Sequence, residues 1–452
     1  MLLNQRENKM ESEVRRRRGR GVAEEEKEDN LDERRGRGEE IDRSFTFILV
    51  SLFIAIASCV SLVLFLPSSQ VAVSLVSLVD TVLASLGVLA REHAVVLDAG
   101  STGSRVLAFT FHRHVIGGNL VLESELWKEV KPGLSSYASD PSAGAASISE
   151  LLDAAKEVVP LHKRASTPVT LMATAGLRLL PAEQADALLA AVRQTIDTSG
   201  FHNRGVDVMS QLDEGVFGWL TVNYLLHQLE NPKKSYVALD LGGGSTQITF
   251  APKHEETFVA TPKKHFLHPV KVSGVEQTLY SHSYLGLGLM SAREAIFRLN
   301  DPLESSTLAS ACVFGQADFK GLVIKGEAMV GYEACMMEVH HFLEKMQIDQ
   351  CKEVPTRKIA AFSYFHDRAV DAGMLGEGES GVVTVQQYLD AAQKACASPS
   401  PESPFLCVDL TFIAGLLHHG YHLSADAKLG LYKQIDGHQT SWALGAAFNL
   451  LE

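Results

Sequence analysis

The chain predicts an α/β protein of two lobes built from one duplicated unit. Two stretches carry most of that prediction: "VVLDAGSTGSRVLAFTF" (95–111) and "ALDLGGGSTQITF" (238–250). Each reads as an apolar strand, a turn of Gly, Ser and Thr, and a second apolar strand. Each places an Asp at the end of its first strand, Asp98 and Asp240. The third observation is the order between them: strands alternate with helices from about residue 93, and a new hairpin starts at Tyr236. Such a repeat predicts two turns facing each other across a cleft, with one ligand between them.

The chain has 452 residues, 46% hydrophobic and 21% charged, enough for two or three domains with real cores. Residues 1–43 differ. "ESEVRRRRGRGVAEEEKEDNLDERRGRGEE" is almost all charge and predicts a disordered tail. Its Arg clusters read as a solvated tail first, and as a lipid or sorting signal second. Residues 44–66, "SFTFILVSLFIAIASCVSLVLFL", are uncharged and long enough to cross a bilayer as one helix. The run is too long, and too far from the N-terminus, for a signal peptide. Lys and Arg crowd its N-terminal side, which predicts a cytosolic tail and a C-terminal part across the membrane. A second apolar stretch, Val71–Ala90, carries Asp80 near its middle. A charge at mid-bilayer is costly, so residues 67–92 read as a stalk rather than a second span.

The globular elements follow in order. "AVVLDAG" and "RVLAFTF" form a hairpin. "SISELLDAAKEVVP" has helical spacing and stops at Pro160, and "PVTLMATAG" is a strand running into a turn. "PAEQADALLAAVRQTIDTSG" is a helix with Pro181 at its start and Gly200 at its end. "VDVMSQ" is a strand and "GVFGWLTVNYLLHQL" an amphipathic helix, after which the second hairpin begins. One of the six cysteines, Cys59, falls in the apolar run, and the other five lie in the C-terminal part. Cys396 and Cys407 flank a Pro/Ser loop suited to a disulfide. Cys312 with Cys335 would close a second loop, leaving Cys351 odd. No Cys-x-x-Cys or metal-ligand spacing occurs, so a disulfide framework in an oxidising compartment is expected. No Asn-x-Ser/Thr acceptor occurs either, which withholds a usual mark of the secretory route.

The net charge of −13 argues against a nucleic-acid partner, so any anion site must be local. Consecutive N–H groups in a Gly/Ser/Thr turn form a nest for phosphate oxygens. The candidates are Ser101, Thr102, Gly103, Ser104 and Arg105 in the first turn, and Gly242, Gly243, Gly244, Ser245 and Thr246 in the second. Arg105 adds a charge or only supports its strand. Asp98 and Asp240 would repel phosphate but suit Mg²⁺ or Ca²⁺, held through water. In "QLDEGVFGW", Asp213 and Glu214 stand where a strand gives way to a helix. They favour the helix dipole or supply a general base for water. Thr174, ending the strand of "MATAGLR", reads as a helix cap or a site residue.

These residues resemble the nucleoside triphosphate diphosphohydrolases, or apyrases, of the actin-like ATPase superfamily. Five signature regions appear in order: "DAGSTGSR" (98–105), "ATAGLR" (173–178), "DEGVFGW" (213–219), "DLGGGSTQ" (240–247) and "YLGLGLMSAR" (284–293). "GHQTSWALGAA" (437–447) resembles the C-terminal segment. "AFSYFHDRAVD" (361–371) and "PFLCVDLTFIAGLL" (404–417) look most like the single-span or secreted nucleoside diphosphatases, which favour UDP, GDP and IDP. The resemblance covers nearly all of residues 93–452. It implies a two-lobed, ribonuclease H-like duplicated fold with the active site in the interlobe cleft. Lobe I would be 93–235 completed by 436–452, and lobe II 236–435.

It also implies roles. Glu214 matches the catalytic base. Ser245 and Gln247 match residues that place the attacking water, and Thr174 joins this catalytic set. Asp98 and Asp240 match the ligands of metal-bound water. Cys312–Cys335 and Cys396–Cys407 match the subgroup's disulfides. Tyr364 and Phe365 are candidates to stack on the base, although the subgroup often has tyrosines where Phe365 and His366 stand. The implied enzyme is a Ca²⁺- or Mg²⁺-dependent nucleoside diphosphatase. It would be a type II protein of the Golgi or endoplasmic reticulum, open to release by cleavage, clearing UDP or GDP left by glycosyltransferases. No protein partner is indicated. Two alternatives share the fold. An exopolyphosphatase or guanosine pentaphosphate phosphatase generally has Glu at Gln247 and lacks the span and disulfides. A non-enzymatic nucleotide switch has no use for Glu214.

Overall fold

The computed structural model describes residues 58, 79, 80, 83, 88–100, 102–115, 118–229, 231–254, 257–258, 266–272, 275–299, 305–327, 330–349 and 351–451. The tail 1–43 and, apart from Ser58, the apolar run 44–66 lie outside them. Among the described residues, no helix is long and apolar enough to cross a membrane. The chain divides into two compact units, Met1–Leu89 with His114–Gly118, and Ala90–Arg113 with Asn119–Glu452. In the first, Asp80 is buried. It accepts from the Val115 N–H at 3.1 Å and pairs with His114. A buried carboxylate satisfied by protein groups avoids the desolvation cost that argues against a mid-bilayer Asp.

The second unit holds two large sheets. The first comprises β1 (Glu92–Ala99), β2 (Ser104–Arg113), β3 (Leu120–Val130), β4 (Pro168–Ala173) and β5 (His202–Val208), in the order β3-β2-β1-β4-β5. β1, β2 and β3 are antiparallel neighbours, while β4 and β5 run parallel to β1. The next strands are β6 (Val237–Leu241), β7 (Ser245–Phe250), β8 (Leu267–Val272) and β9 (Val275–Leu285). A three-stranded sheet follows, β10 (Thr307–Ser310), β11 (Gln316–Phe319) and β12 (Leu322–Gly326). Then come β13 (Ile359–Ser363), β14 (Gly381–Thr384) and β15 (Lys428–Leu431). The second large sheet has the order β14-β15-β13-β6-β7-β9-β8. Its inner five, β9-β7-β6-β13-β15, repeat the first sheet strand for strand, with the same antiparallel and parallel pairings. The duplication expected from the two hairpins is therefore the architecture of the unit.

Among the described residues, the helices that position the rest include α1 (Pro141–Val158), α2 (Ala175–Arg178), α3 (Ala182–Asp197), α4 (Gln211–Leu225), α5 (Leu289–Phe297), α6 (Tyr332–Met346), α7 (Tyr364–Asp371), α8 (Val385–Ala397), α9 (Leu406–Gly415) and α10 (Trp442–Leu451). α1 opens with Pro141 at its first position, and Asp140 caps the Ala143 N–H at 3.1 Å. Period-two alternation splits β1 between two cores. Val95, Leu97 and Ala99 pack towards α1 and α3, and Ala94 and Val96 pack towards α4 and α10. The chain's last helix therefore packs with the first sheet.

α4 differs from the amphipathic reading. It is buried continuously from Glu214 to Asn223, because it lies against β6, β7 and β9 on one side and α10 on another. Trp219 and Val222 share a cluster with Val96 and Leu107 of the first sheet and with Ala238 and Phe362 of the second. A helix between two sheets has little surface left for a polar stripe. The structure also contains two disulfides, Cys312–Cys335 and Cys396–Cys407, and Cys351 is a free thiol.

Candidate active site

The two hairpin turns put equivalent residues in equivalent places. In the first, Asp98 pairs across the ladder with Arg105, and in the second Asp240 pairs with Gln247. The parallel neighbours match as well. Ala99 stands beside Ala173 and Leu241 beside Ser363, so Thr174 and Tyr364 each follow the strand that flanks an Asp.

Asp98 and Asp240 are both 8% exposed, and in each the Oδ1 atom is buried without a hydrogen-bond partner. Burial raises both pKa values, Asp240's to about 7, and the nearby charges of Glu214 and Asp98 further oppose Asp240's ionisation. Two such carboxylates with unfilled oxygen sites are a donor set suited to a hard divalent cation.

The second turn is held from behind. The Gly242 and Gly243 carbonyls accept from Leu289, Met290 and Ser291 at the start of α5, and the Gly244 carbonyl accepts from Gly286. Gly288 makes this contact possible, since a Cβ there would lie 2.2 Å from the Ser245 nitrogen. With the carbonyls engaged, the N–H groups of Gly243 and Gly244 find no acceptor among the described residues, the arrangement an anion nest requires.

Not every turn residue faces the ligand. Ser104 is fully buried, and its Oγ accepts from the Leu134 N–H at 3.1 Å. Thr246 is fully buried and donates to the Asp240 carbonyl at 2.6 Å. Strand alternation turns both side chains inward, so these hydroxyls brace their turns instead of adding phosphate donors. Arg105 holds Asp98 at 3.3 Å and Glu129 at 2.7 Å, which places its charge within the chain. Ser101 lies outside the described residues. Thr102 is exposed, whereas Gly103 packs against Glu129.

Glu214 stands in the first turn of α4 without capping it. Ser210 caps the helix by accepting from the Asp213 N–H at 3.0 Å, and donates to the Asp213 carboxylate at 2.7 Å. The Glu214 side chain is buried instead, with Oε2 2.6 Å from Arg178 Nη2. Burial raises its pKa, the Arg178 charge and hydrogen bond lower it, and Asp98 raises it. Gly215 brings the helix close, since a Cβ there would sit 2.5 Å from both the Ser281 and Thr249 hydroxyls. Gln247 lies on the second hairpin, donating from Nε2 to Ser245 Oγ (2.9 Å) and Ser283 Oγ (2.8 Å), with Oε1 buried and unbonded. Thr174 precedes α2 without a side-chain cap bond.

Three participants escaped the sequence reading. Arg178 lies inside the quoted "ATAGLR", but its role as partner of Glu214 needs the fold. Ser283 lies in β9, 36 residues from Gln247. Ser363 adopts φ 59°, ψ −130°, a strained backbone for a residue with a side chain, and its hydroxyl bonds the Asp240 carboxylate. Of the two stacking candidates, Phe365 is fully buried in the second lobe's core and offers no ring face. Tyr364 is partly buried beside Arg368.

The duplicated α/β fold is actin-like, and beside its second glycine-rich turn stand a buried carboxylate, a buried amide oxygen and two buried Asp side chains, a set of groups suited to a phosphoanhydride hydrolase. Residues 89–452 match the GDA1/CD39 (nucleoside phosphatase) family, and the chain belongs to that family. It is 38% identical over 378 residues to the nucleoside diphosphate phosphatase ENTPD5 of Homo sapiens, covering 80% of this chain and 87% of that one. It is 41% identical over 390 residues to ectonucleoside triphosphate diphosphohydrolase 6 of Mus musculus, covering 81% and 84%. Over 401 residues it is 36% identical to the nucleoside-diphosphatase uda-1 of Caenorhabditis elegans, covering 80% and 83%. Among solved structures, a nucleoside triphosphate hydrolase from Neospora caninum superposes with TM-score 0.56 at 14% identity, covering 82% of this chain and 95% of that one.

Proposed function

We propose that the protein is a divalent-metal-dependent nucleoside diphosphatase that converts UDP, GDP or IDP to the monophosphate in the secretory lumen. The observation that carries this reading is Glu214, a buried carboxylate kept off helix-capping duty and aimed with Arg178 into the region of Asp98 and Asp240.

The β-phosphate lies on the free N–H groups of the second turn, and the chain's own donors hold it there. Gln247 and Ser245, tied to each other and to Ser283, orient a water towards the terminal phosphorus. Glu214 accepts the proton from that water as the P–O bond to the leaving monophosphate breaks. Arg178 occupies Oε2 and leaves Oε1 for the proton. Raised by burial, Glu214 holds this proton more firmly than a surface carboxylate does. Asp98 and Asp240 would hold Ca²⁺ or Mg²⁺, which when bound offsets phosphate charge. Thr174 borders the same region from lobe I.

Residues 44–66 would be the one membrane span, with the tail cytosolic and the catalytic part in the Golgi or endoplasmic reticulum lumen. The Lys/Arg bias of the tail and the two disulfides support this placement. There the enzyme would clear UDP or GDP left by glycosyltransferases. Purified full-length protein should release phosphate from UDP with Mg²⁺ or Ca²⁺, and lose that activity in chelator. Release from polyphosphate but not from UDP would overturn the proposal.

A further inference from the structure

Away from the reacting groups, the second lobe brings three charges together, Asp409 and Arg293 buried and Arg368 partly exposed. Asp409 of α9 is 1% exposed. It accepts from Arg293 of α5 through Nε at 2.9 Å and Nη2 at 2.5 Å, a bidentate pair, and from Arg368 Nη1 of α7 at 3.3 Å. The Arg293 guanidinium lies 4.6 Å from the Phe405 ring centre and 5.1 Å from that of Phe319. Arg368 also holds Asp371 at 2.8 Å, and its guanidinium carbon is 5.7 Å from the Tyr364 ring centre. Buried ion pairs contribute little net stability, because desolvation offsets their attraction. Their use here is geometric, since a bidentate Arg–carboxylate pair fixes orientation as well as distance.

The helices joined at Asp409 have different duties. The first turn of α5 donates to the carbonyls of the Gly242–Gly244 turn, so where α5 sits decides where that anion nest sits. α7 begins at Tyr364, directly after the strained Ser363 that bonds Asp240. Asp409 is the common anchor of the helix behind the phosphate turn and the helix that presents Tyr364.

We propose that Asp409, through Arg293 and Arg368, is a positioning residue that sets the span between the Gly242–Gly244 turn and the Tyr364 ring, and so makes hydrolysis depend on the base of the substrate. The inference rests on the reading of Tyr364 as the wall on which the base stacks. None of the three charged residues touches the reacting phosphorus. Their effect is felt by a substrate that spans both ends of the ruler and not by one that reaches only the phosphate end.

Arg368→Gln is the test variant, because it cuts the link to α7 while leaving the buried Arg293–Asp409 pair neutralised. Steady-state kinetics of the full-length protein are measured on UDP and on ribose 5-diphosphate, which lacks a base, with the thermal midpoint recorded in parallel. Stacking on an aromatic side chain accounts for roughly 5- to 150-fold in binding per base, so misplacing the ring should raise KM for UDP about tenfold. kcat for UDP and both constants for ribose 5-diphosphate should stay within about threefold, and Arg368→Lys should restore part of the KM. Tyr364→Ala is the control. If Tyr364→Ala retains the preference for UDP, the stacking reading fails and takes the inference with it. If Tyr364→Ala loses the preference but Arg368→Gln keeps it, the inference alone is overturned. Equal losses on both substrates in Arg368→Gln overturn it as well, since a generally loosened lobe would act that way. Arg368→Lys is the fallback if Arg368→Gln does not fold. An unchanged UDP preference in a folded Arg368→Lys protein overturns the inference, and a partial rise in KM for UDP alone supports it.

Discussion

Replacing Glu214 by Gln separates the chemistry of this site from its packing. The amide keeps the size of the side chain and an oxygen to accept from Arg178, now 2.6 Å from Oε2. What it loses there is the charge-assisted part of one hydrogen bond, about 1 kcal/mol. Against that loss, the Glu214 charge opposes ionisation of Asp240, so removing it relieves repulsion inside the cluster. The net stability change should stay under about 1.5 kcal/mol, a shift of a few degrees in thermal midpoint. The rate should fall far more. Loss of a general base typically costs 10²–10⁴-fold, or about 3–5 kcal/mol of barrier. Measuring kcat for UDP, affinity for a non-hydrolysable UDP analogue and the thermal midpoint on one preparation separates the two effects. The expected result is a folded protein that binds nucleotide and scarcely turns it over. A kcat within tenfold of the parent would refute the base assignment. Asp213 would then be the next residue to test, although its carboxylate is already bonded to Ser210.

Other consequences follow from the same contacts. Arg178→Gln removes the largest influence that lowers the Glu214 pKa. Activity requires the carboxylate form and is lost as pH falls through its pKa, so the acid limb of the kcat/KM profile should move to higher pH; an unmoved limb would separate Arg178 from the base. Gly215→Ala pushes a methyl to within 2.5 Å of the Ser281 and Thr249 hydroxyls. It should cost about 1–3 kcal/mol in denaturant unfolding and lower kcat by displacing Glu214. Removing the Cys396–Cys407 bridge, whose cysteines are 11 residues apart, should cost about 3 kcal/mol by the chain-entropy estimate, read as a lower thermal midpoint. Protease added to sealed microsomes should trim only the tail, and digestion of the catalytic part without detergent would rule out a lumenal placement.

Much of this molecule was legible from its residues because the information was local. Apolar alternation with a small-residue turn specifies a hairpin wherever it occurs, so two such hairpins announced the duplicated sheets. Pro160, Pro181 and Gly200 mark helix ends for reasons internal to the backbone. Asp98, Asp240 and Glu214 stood out because carboxylates at strand and helix ends are chemically conspicuous. What local pattern did not reveal was the direction of each side chain and the identity of its distant partner. Ser104 and Thr246 looked like phosphate donors, yet strand pleating turned them inward to Leu134 and the Asp240 carbonyl. Phe365 looked like a stacking ring, yet the helix phase of α7 sent it into the core and left Tyr364 at its edge. α4 read as amphipathic, but packing on two sides buried its polar face. Arg178 meets Glu214 across 36 residues and Arg293 meets Asp409 across 116. Pairs that far apart leave no trace in periodicity or propensity. Only the folded chain, by bringing four helices and two sheets around one site, decides which charges are neutralised inside it and which are left for the ligand.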